Sequence, residues 1–310
     1  MDRLKNLRMV DPILTDIAIG FSNSEFIAEK FCPIVPVDKE ESEIPVFDKT
    51  AFLIYRTERA PRGATNFMKP SELSKIPLIT GEHDLAYPID YREGKEAMYP
   101  LKMLGTKTVV NGIQLRREKM TADLLQDLAT YPAGHKVTLS ADNKWTNKTK
   151  SDPIEQIKAA KSQIRKAIGK YPNRLGLGVT AFEALQDHPA IIERIKYSKE
   201  AIVTVEDLKR ILGFDEIVIG LGIYADKPNG QFFDLWEDNA IMAYVPTKSA
   251  GELRIPEEPS FGYTPRRKGN PYVDSFFTEG GKVENIRNTD NFGVAVVWPS
   301  AGYIIKDTCA

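Results

Sequence analysis

A twenty-residue polar stretch between two strand-like runs limits the possible folds of this chain more than any other feature. It reads RTERAPRGATNFMKPSELSK over residues 56–75, and its only large apolar residues are Phe67, Met68 and Leu73. Seven of the twenty residues are charged, and their net charge is +3. The stretch cannot build a hydrophobic core, and a connection of this length in a compact domain is either disordered or functional.

Both flanks of the polar stretch have strand patterns, which argues against simple disorder. IPVFDKTAFLIY precedes it at 44–55, and IPLITGEHDLAYPIDY follows at 76–91. Two strands with a long polar tip make a projecting hairpin, and a lone two-stranded ribbon is only marginally stable in water. A neighbouring chain that covers the hairpin would stabilise it. The pattern therefore predicts a protein that works as an assembly.

After the hairpin, the hydrophobic pattern changes to a helical period over residues 92–129. Pro100 marks a first turn or a kink. The pattern predicts a helix of roughly 25 to 30 residues, about 40 Å long at 1.5 Å per residue. Its apolar residues fall at steps of three, four or seven: Met103, Val110, Ile113, Met120, Leu124 and Leu128.

Residues 150–247 alternate predicted helices and strands, as an α/β or α+β domain does. Ser151 or Asp152 is positioned to cap a helix that ends at Gly169. Further helix start signals stand at Thr180, Pro189 and Thr204. The last third of the chain reads as strands bounded by glycine, proline and asparagine.

Composition excludes several classes of protein. The 310 residues are 42% hydrophobic and 27% charged, with a net charge of -1, so nothing indicates a general polyanion binder. Cys32 and Cys309 are far apart, which predicts reduced thiols and leaves an inter-chain disulfide as the alternative. No apolar run approaches the roughly 18 residues that span a bilayer, and the N-terminus lacks the features of a secretory signal.

No catalytic, cofactor or metal signature stands out. The three histidines, His83, His135 and His188, lie in different segments without metal-ligand spacing. Glycine pairs at 175–178 (LGLG) and 220–222 (GLG) lack the third glycine of a dinucleotide fingerprint. They predict close packing of strands on helices.

Three pairs of adjacent acids, at 40–41, 237–238 and 257–258, could hold a hard cation, although solvated turns explain them equally simply. The basic run Arg266-Arg267-Lys268 could contact nucleic acid phosphate, an acidic patch on a neighbour, or solvent in a β-turn.

Several strings then resemble those of one known family. They are EHDLAYPIDYREGKEA at 82–97, YPAGHKVTLS at 131–140, DNAIMAYVP at 238–246, PSFGYTPRRKGNP at 259–271 and AGYIIKD at 301–307. With these strings and with its order of parts, the chain resembles the major capsid proteins of tailed bacteriophages over nearly its whole length. These proteins have the Hong Kong 97-like capsid fold.

The resemblance implies an α+β fold with five parts. Residues 1–43 would be an N-terminal arm, and 44–90 an extended hairpin loop. Residues 91–149 and 248–300 would form a peripheral domain with a long spine helix. Residues 150–247 and 301–310 would form the axial domain.

The resemblance also implies a function. The chain would be a major capsid (coat) protein, without enzymatic activity or cofactor, that assembles through pentamers and hexamers into an icosahedral head shell around double-stranded DNA. Portal, scaffolding and decoration proteins are candidate partners, and DNA would be contacted without sequence specificity. No membrane is involved. The protein would belong to the virion and assemble in the host cytoplasm.

Individual residues follow from the same resemblance. The loop tip would lie over an adjacent subunit, so we expect its cations to meet acidic patches on neighbours, namely Arg59, Arg62 and Lys69. The helix cations Arg116, Arg117 and Lys119 would face either the lumen or a neighbouring subunit.

Two properties of some relatives are not expected here. Residues 11–14 (DPIL) already resemble the arm, which predicts a separate scaffolding protein or none. Some relatives cross-link subunits through lysine and asparagine. Lys69 has no matched partner or catalytic acid, so we expect no covalent cross-linking.

Three alternatives stay open from the sequence. One is an encapsulin-type nanocompartment shell with the same fold. Another is an α/β nucleotide-binding enzyme that uses the glycine pairs, although the missing third glycine counts against it. The last is another virion protein, such as a decoration or tail protein, although the long helix and the order of parts count against it.

Overall fold

The computed structural model describes residues 9–10, 26–46, 53–67, 74–97, 100–195, 203–227, 230–247 and 260–309. Its α-helices are Ala28–Phe31, Tyr91–Glu96, Leu101–Gln126, Pro153–Ile168, Val179–Gln186, Pro189–Ile195 and Val205–Leu212. Its strands are β1 (Met9–Val10), β2 (Ile34–Val37), β3 (Glu41–Val46), β4 (Ser74–Ile79), β5 (Gly81–Asp90), β6 (Lys136–Thr138), β7 (Arg174–Gly178), β8 (Glu216–Gly220), β9 (Ile223–Ala225), β10 (Phe232–Asp234), β11 (Ala240–Ala243), β12 (Gly262–Arg267), β13 (Tyr272–Thr278), β14 (Val283–Phe292), β15 (Ala295–Val296) and β16 (Gly302–Lys306).

The predicted hairpin is confirmed at its base. Strands β3 and β4 pair antiparallel, with Glu41 opposite Ile79. The strand run expected at 44–55 is shorter, because β3 ends at Val46 and residues 53–60 have no regular structure. The run expected at 76–91 divides between two sheets: β4 belongs to the hairpin, and β5 pairs with β14 over ten residues.

A seven-stranded sheet, called here the large sheet, combines strands of the arm with β5 and with strands β12 to β15. Its main order is β1-β13-β14-β12-β15, with β5 paired to β14 and β2 paired to β12. Strand β2 runs parallel to β12, so the described part of the predicted arm lies on its own subunit. The long antiparallel pairs of β14 with β5 and with β13 make this sheet rigid along its length.

The helix Leu101–Gln126, called here the long helix, has 26 residues, which confirms the predicted length. It begins after Pro100, whose carbonyl accepts a hydrogen bond from the Leu104 amide at 3.2 Å. Its buried face agrees with the predicted one only in part: Val110 and Ile113 are buried as predicted. Met103 is 44% exposed, whereas Arg117, expected on an outer face, is 7% exposed. This side of the helix packs on polar strand β14 and on the arm, which supply charged partners.

A five-stranded sheet in the order β6-β16-β11-β7-β8 lies under the remaining helices. Strand β11 is buried at all four positions, and the helix Pro153–Ile168 contributes four isoleucines to the same core. Strand β16 pairs with β11, and β6 pairs with β16, so the segments before residue 139 and after residue 301 both reach this sheet.

Cap chemistry explains where these helices begin and end. Asp152 caps Pro153–Ile168 by accepting hydrogen bonds from two backbone amides, and Gly169 ends the helix at φ 74°, as predicted. Thr204 caps Val205–Leu212 with a reciprocal bond to Asp207, also as predicted. Thr180 was wrongly predicted to be a cap. The chain passes directly from β7 into the helix Val179–Gln186, so Thr180 lies inside the first turn.

Two smaller cores complete the structure. One lies between the long helix and the large sheet and consists of Ile89, Val110, Val273 and Ile286. The other holds the hairpin base against strands β2, β12 and β15 and includes Ile44, Leu78 and Tyr263. Within the ranges that the structure describes, no helix is long and apolar enough to cross a membrane.

Candidate functional site

The loop at residues 53–67, called here the hairpin loop, is the outermost part of the described hairpin. Two hydrogen bonds give it a defined turn: the Gly63 amide donates to the Ala60 carbonyl at 2.9 Å, and the Arg59 guanidinium donates to the Gly63 carbonyl at 2.8 Å. Arg62 occupies this turn with φ 66° and is exposed. Arg59 therefore shapes the loop as well as carrying charge. The third predicted contact residue, Lys69, lies outside the described residues.

The hairpin loop also exposes large apolar side chains. Ile54 is 101% exposed, Phe67 is 87% exposed and Leu53 is 57% exposed. The sequence reading assigned Leu53 and Ile54 to a strand, where alternate residues would have been covered. In the structure both lie beyond the last strand pair, so the loop combines cations with apolar surface. Such surfaces mark interaction sites.

The base of the hairpin is fixed to the large sheet. The Glu40 carboxylate accepts hydrogen bonds from Asn291 at 2.9 Å and from Arg267 at 3.3 Å. The Glu40 carbonyl accepts the Thr80 amide at 2.8 Å. A cross-strand pair, Lys75 with Glu43 at 2.5 Å, adds to the base.

The basic run at the end of β12 is balanced by acids of the same chain. Arg266 pairs with Asp290 at 2.7 Å, Arg267 with Glu40, and Lys268 with Asp38 at 2.8 Å. The run therefore does not present three unpaired cations to a phosphate backbone. This arrangement favours a structural role over the phosphate contact that the sequence left open.

A second exposed apolar surface lies on the two-stranded sheet of β9 and β10, called here the ribbon. Its strands pair antiparallel, with Tyr224 opposite Phe233. Phe232 is 68% exposed, Ile223 is 49% exposed and Leu221, just before the ribbon, is 52% exposed. An isolated two-stranded sheet is marginally stable in water. The strands of the ribbon were predicted from the sequence, but the exposure of their apolar side chains was not. Alternation of polar and apolar residues does not tell which face of a strand is covered.

Glu118 ties the arm to the long helix and to the five-stranded unit. Its carboxylate accepts hydrogen bonds from the Ile27 amide at 2.9 Å, the Ala28 amide at 2.9 Å and the Trp236 indole at 2.8 Å. The side chain is buried, and this burial raises the pKa of the Glu118 carboxyl above its usual 4.5, although the three donors and Arg117 oppose the shift. One carboxylate on the long helix thus satisfies three donors from two other parts of the fold.

The helix cations occupy different environments. Arg117 is buried and pairs with Glu29 of the arm at 2.6 Å, so it does not face a lumen or a neighbour. Lys119 pairs with Asp123 and lies 4.7 Å from the centre of the Tyr224 ring. Arg116 is exposed.

The histidines and paired acids do not converge on one site. The His83 ring stacks on Phe292 at 4.3 Å, and His135 Nδ1 lies 2.9 Å from the Gly302 carbonyl oxygen. Asp238 accepts the Cys309 amide at 3.0 Å. Among the described residues, no group of three or more histidines, cysteines and acids could hold a metal ion. The pair at 257–258 lies outside the described residues.

His188 is buried in its neutral form. Its Nδ1 accepts the Ala190 amide at 3.2 Å, so Nε2 carries the proton and donates to the Ser151 hydroxyl at 3.1 Å. Burial lowers the pKa of His188 below its usual 6.5.

Because the pKa of His188 is lowered by folding, we expect it to contribute stability above pH 6.5 that is lost as the pH falls through the folded pKa. Urea unfolding of the purified protein at several pH values between 7.5 and 5 measures this effect. The slope of stability against pH should be smaller in His188→Gln. An unchanged slope in this variant would assign the acid sensitivity to other groups.

The glycine pairs serve packing. A Cβ on Gly176 would lie 2.5 Å from the Phe31 ring, and one on Gly220 would lie 2.3 Å from the Trp236 ring. Both rings are buried in the main core. The structure thus supports the packing interpretation of these glycines.

Gly176→Ala is expected to lower the free energy of unfolding by about 2 kcal/mol, because overpacking forces the buried Phe31 ring to move. Chemical denaturation of the purified chain measures the change. Gly81→Ala is the matched control, since the atom nearest its Cβ would be 3.9 Å away. Equal stability of the two variants would contradict the close contact.

Both cysteines are free thiols. Cys32 is fully buried, and burial raises its pKa to about 12, so it is an inert core residue. Cys309 is half-buried, and burial raises its pKa as well.

Comparison with known proteins agrees with these observations. The model of a family described as phage major capsid protein E matches residues 32–278. The chain is 47% identical to the major capsid protein of Burkholderia phage BcepMu, over 99% of each chain. A solved phage-related protein of Bordetella bronchiseptica RB50 is 31% identical, with a TM-score of 0.80 over 97% of this chain and 98% of that one. A capsid chain of cyanophage P-SCSP1u is 9% identical, with a TM-score of 0.61 over 93% and 89%.

Proposed function

Because the chain belongs to the phage major capsid protein E family and is a major capsid protein of a phage, we propose that it self-assembles into the icosahedral head shell of a tailed phage, around its double-stranded DNA genome. The chain has the Hong Kong 97-like capsid fold that its sequence implied. It is a virion component, and its family is not a class of enzymes. We further propose that it has no catalytic role and that assembly takes place in the host cytoplasm.

The observation that carries the assembly proposal is the hairpin loop. Its base is hydrogen-bonded to the large sheet, and Ile44 and Leu78 of the base are buried. Ile54 and Phe67, in contrast, are almost fully exposed. Large apolar side chains exposed in this way mark a surface that another molecule covers. The receiving surface is a second copy of the chain, since a shell of one protein supplies the same neighbour at every position.

Heterologous contacts that close by rotation give rings, and projecting elements tie the rings together. The five-stranded unit with its exposed ribbon would gather at the ring centres, as pentamers and hexamers. The hairpin loop would reach the adjacent copy. A standard contact buries about 1,600 Å² in total. Several such contacts per copy would make disassembly slow.

Within this proposal, Arg59, Arg62 and Lys69 contact acidic groups of the neighbouring copy. Portal, scaffolding and decoration proteins are further proposed partners. Packaged DNA would be contacted weakly and without sequence specificity, which suits a chain with a net charge of -1.

Electron microscopy of the purified chain, after size-exclusion chromatography, tests the proposal. We expect closed shells or rings of five and six. If the protein stays a small species even when produced together with the other head proteins of its phage, the shell proposal fails.

The alternative shell, an encapsulin-type compartment, is the weaker match, because the family model and the 47% identical relative are both phage capsid proteins. Particles isolated with their natural contents distinguish the two. Nuclease-protected double-stranded DNA supports the phage head, whereas an enclosed enzyme supports the compartment.

A further inference from the structure

The interface between the long helix and the large sheet has an apolar half and a polar half. In the apolar half, Val110 of the helix packs with Ile89, Val273 and Ile286 of the sheet. Further along β14, the buried residues become polar, at Asn288 and at the positions that follow it. On a strand, residues two apart share a face, so Asn288 and Asp290 lie on the same face as Ile286.

Charged side chains from four elements form two ion pairs in the polar half. Asp290 of β14 accepts a hydrogen bond from Arg266 of β12 at 2.7 Å. Arg117 of the long helix donates to Glu29 of the arm at 2.6 Å. The long helix, which carries Arg117, packs directly on β14. Burial lowers the pKa of Arg266 and raises the pKa of Asp290; the charge of Arg117 adds to the first shift and opposes the second.

These two ion pairs leave three hydrogen-bonding atoms without a partner, and the neighbouring Asn288 adds a fourth. Arg117 Nε, Arg266 Nε, Asp290 Oδ1 and Asn288 Oδ1 are all buried, and none has a hydrogen-bond partner within the ranges that the structure describes. Arg117, Asn288 and Asp290 are each more than nine-tenths buried. Four unmet polar groups would together cost an amount comparable with the whole stability of a folded domain. They must therefore be satisfied.

The chemistry of the four atoms identifies what satisfies them. Two are N–H donors and two are oxygen acceptors, within a set of side chains whose formal charges cancel. An anion would use the donors but be repelled by Asp290. A metal cation would use the oxygens but be repelled by both arginines. Water both donates and accepts, and a buried water typically makes about three hydrogen bonds.

We propose that the polar half of this interface is a binding site for ordered water molecules that bridge the long helix to strands β12 and β14. Arg117 supplies the helix side of the site. Arg266, Asn288 and Asp290 supply the sheet side. The water site lies within a single folded subunit, so it does not depend on assembly into a shell.

A density map of the full chain at a resolution that shows ordered water tests the site directly. We expect at least one water within hydrogen-bond distance of two or more of the four atoms. An ion at this position, or side chains that repack into direct contact without water, would overturn the proposal.

The sign of a stability change provides a second test. Asn288→Leu removes one acceptor. If that acceptor binds water, the variant loses a hydrogen bond, and the folding equilibrium constant should fall roughly fivefold. If the site is dry, the substitution removes an unmet group, and stability should stay equal or rise, which would contradict hydration.

Asn285→Leu is the matched control for that test. It is the same substitution on the same strand, at a half-buried position whose amide bonds to Thr278 at 2.8 Å. We expect it to cost less than Asn288→Leu. A cost equal to that of Asn288→Leu would show that the loss reflects leucine in strand β14 and not the water site.

Discussion

A chain that carries Arg59→Glu and Arg62→Glu is expected to fold normally and to fail to form closed shells. Both residues are exposed on the hairpin loop and pack in none of the buried cores. If they meet acidic groups of a neighbour, reversal places like charges together, which costs several kcal/mol at an interface. Every copy in a shell repeats the contact, so the loss is multiplied over the particle.

Electron microscopy and sedimentation measure shell formation, and circular dichroism with denaturant unfolding measures the fold. Arg59→Lys with Arg62→Lys is the matched control, because it keeps the charge and should still assemble. Arg62→Glu alone is also informative, since it leaves the hydrogen bond from Arg59 to Gly63 in place. Normal shells from the double glutamate variant would refute a role for these cations in contact between copies.

Glu118→Ala is expected to lower the free energy of unfolding of the subunit by about 4 kcal/mol. The substitution leaves the Ile27 and Ala28 amides and the Trp236 indole buried without their acceptor, and each unmet group costs roughly 1–3 kcal/mol. The cost of burying the Glu118 charge is removed at the same time, so the net loss is less than the full sum. The arm should be the first segment to lose protection.

Denaturant unfolding gives the change in free energy, and amide hydrogen exchange of Ile27 and Ala28 locates it. Asp123→Ala on the same helix is the control, because this exposed i,i+4 pair should contribute less than about 0.5 kcal/mol. If Glu118→Ala costs no more than this control, the carboxylate does not hold the arm.

The pH dependence of the same residue has a definite sign. Since folding raises the pKa of Glu118 above 4.5, the folded state binds more protons than the unfolded state between the two pKa values. The stability that this group contributes is therefore complete below pH 4.5 and is lost as the pH rises through the folded pKa. Glu118→Gln should remove this component.

Local signals in the sequence were sufficient to predict the parts of the structure that depend on residues close together in the chain. Asp152 with Pro153 and Gly169 defined the ends of one helix, because caps involve neighbours within four residues. The length of the long helix and the base of the hairpin followed from periodicity in the same way. The capsid fold itself was predicted from resemblance over nearly the whole chain.

The environment of the polar and apolar side chains depended on partners far away in sequence. Glu118 binds donors 90 or more residues away, and Arg117 pairs with Glu29, 88 residues earlier, so no local pattern showed that this face of the helix is buried. The exposure of Ile54 was hidden because periodicity predicts alternation without telling which face is covered.

The sequence by itself thus determined most of the elements, the helix caps at Asp152, Gly169 and Thr204, and the family, because these depend on short-range backbone chemistry and on the order of parts. Only the tertiary structure decided that β5 leaves the hairpin for the large sheet, that Arg117 and Glu118 are internal, and that the loop carries apolar side chains outward. The physical reason is that burial and pairing are set by contacts between distant segments, which form only when the whole chain has folded.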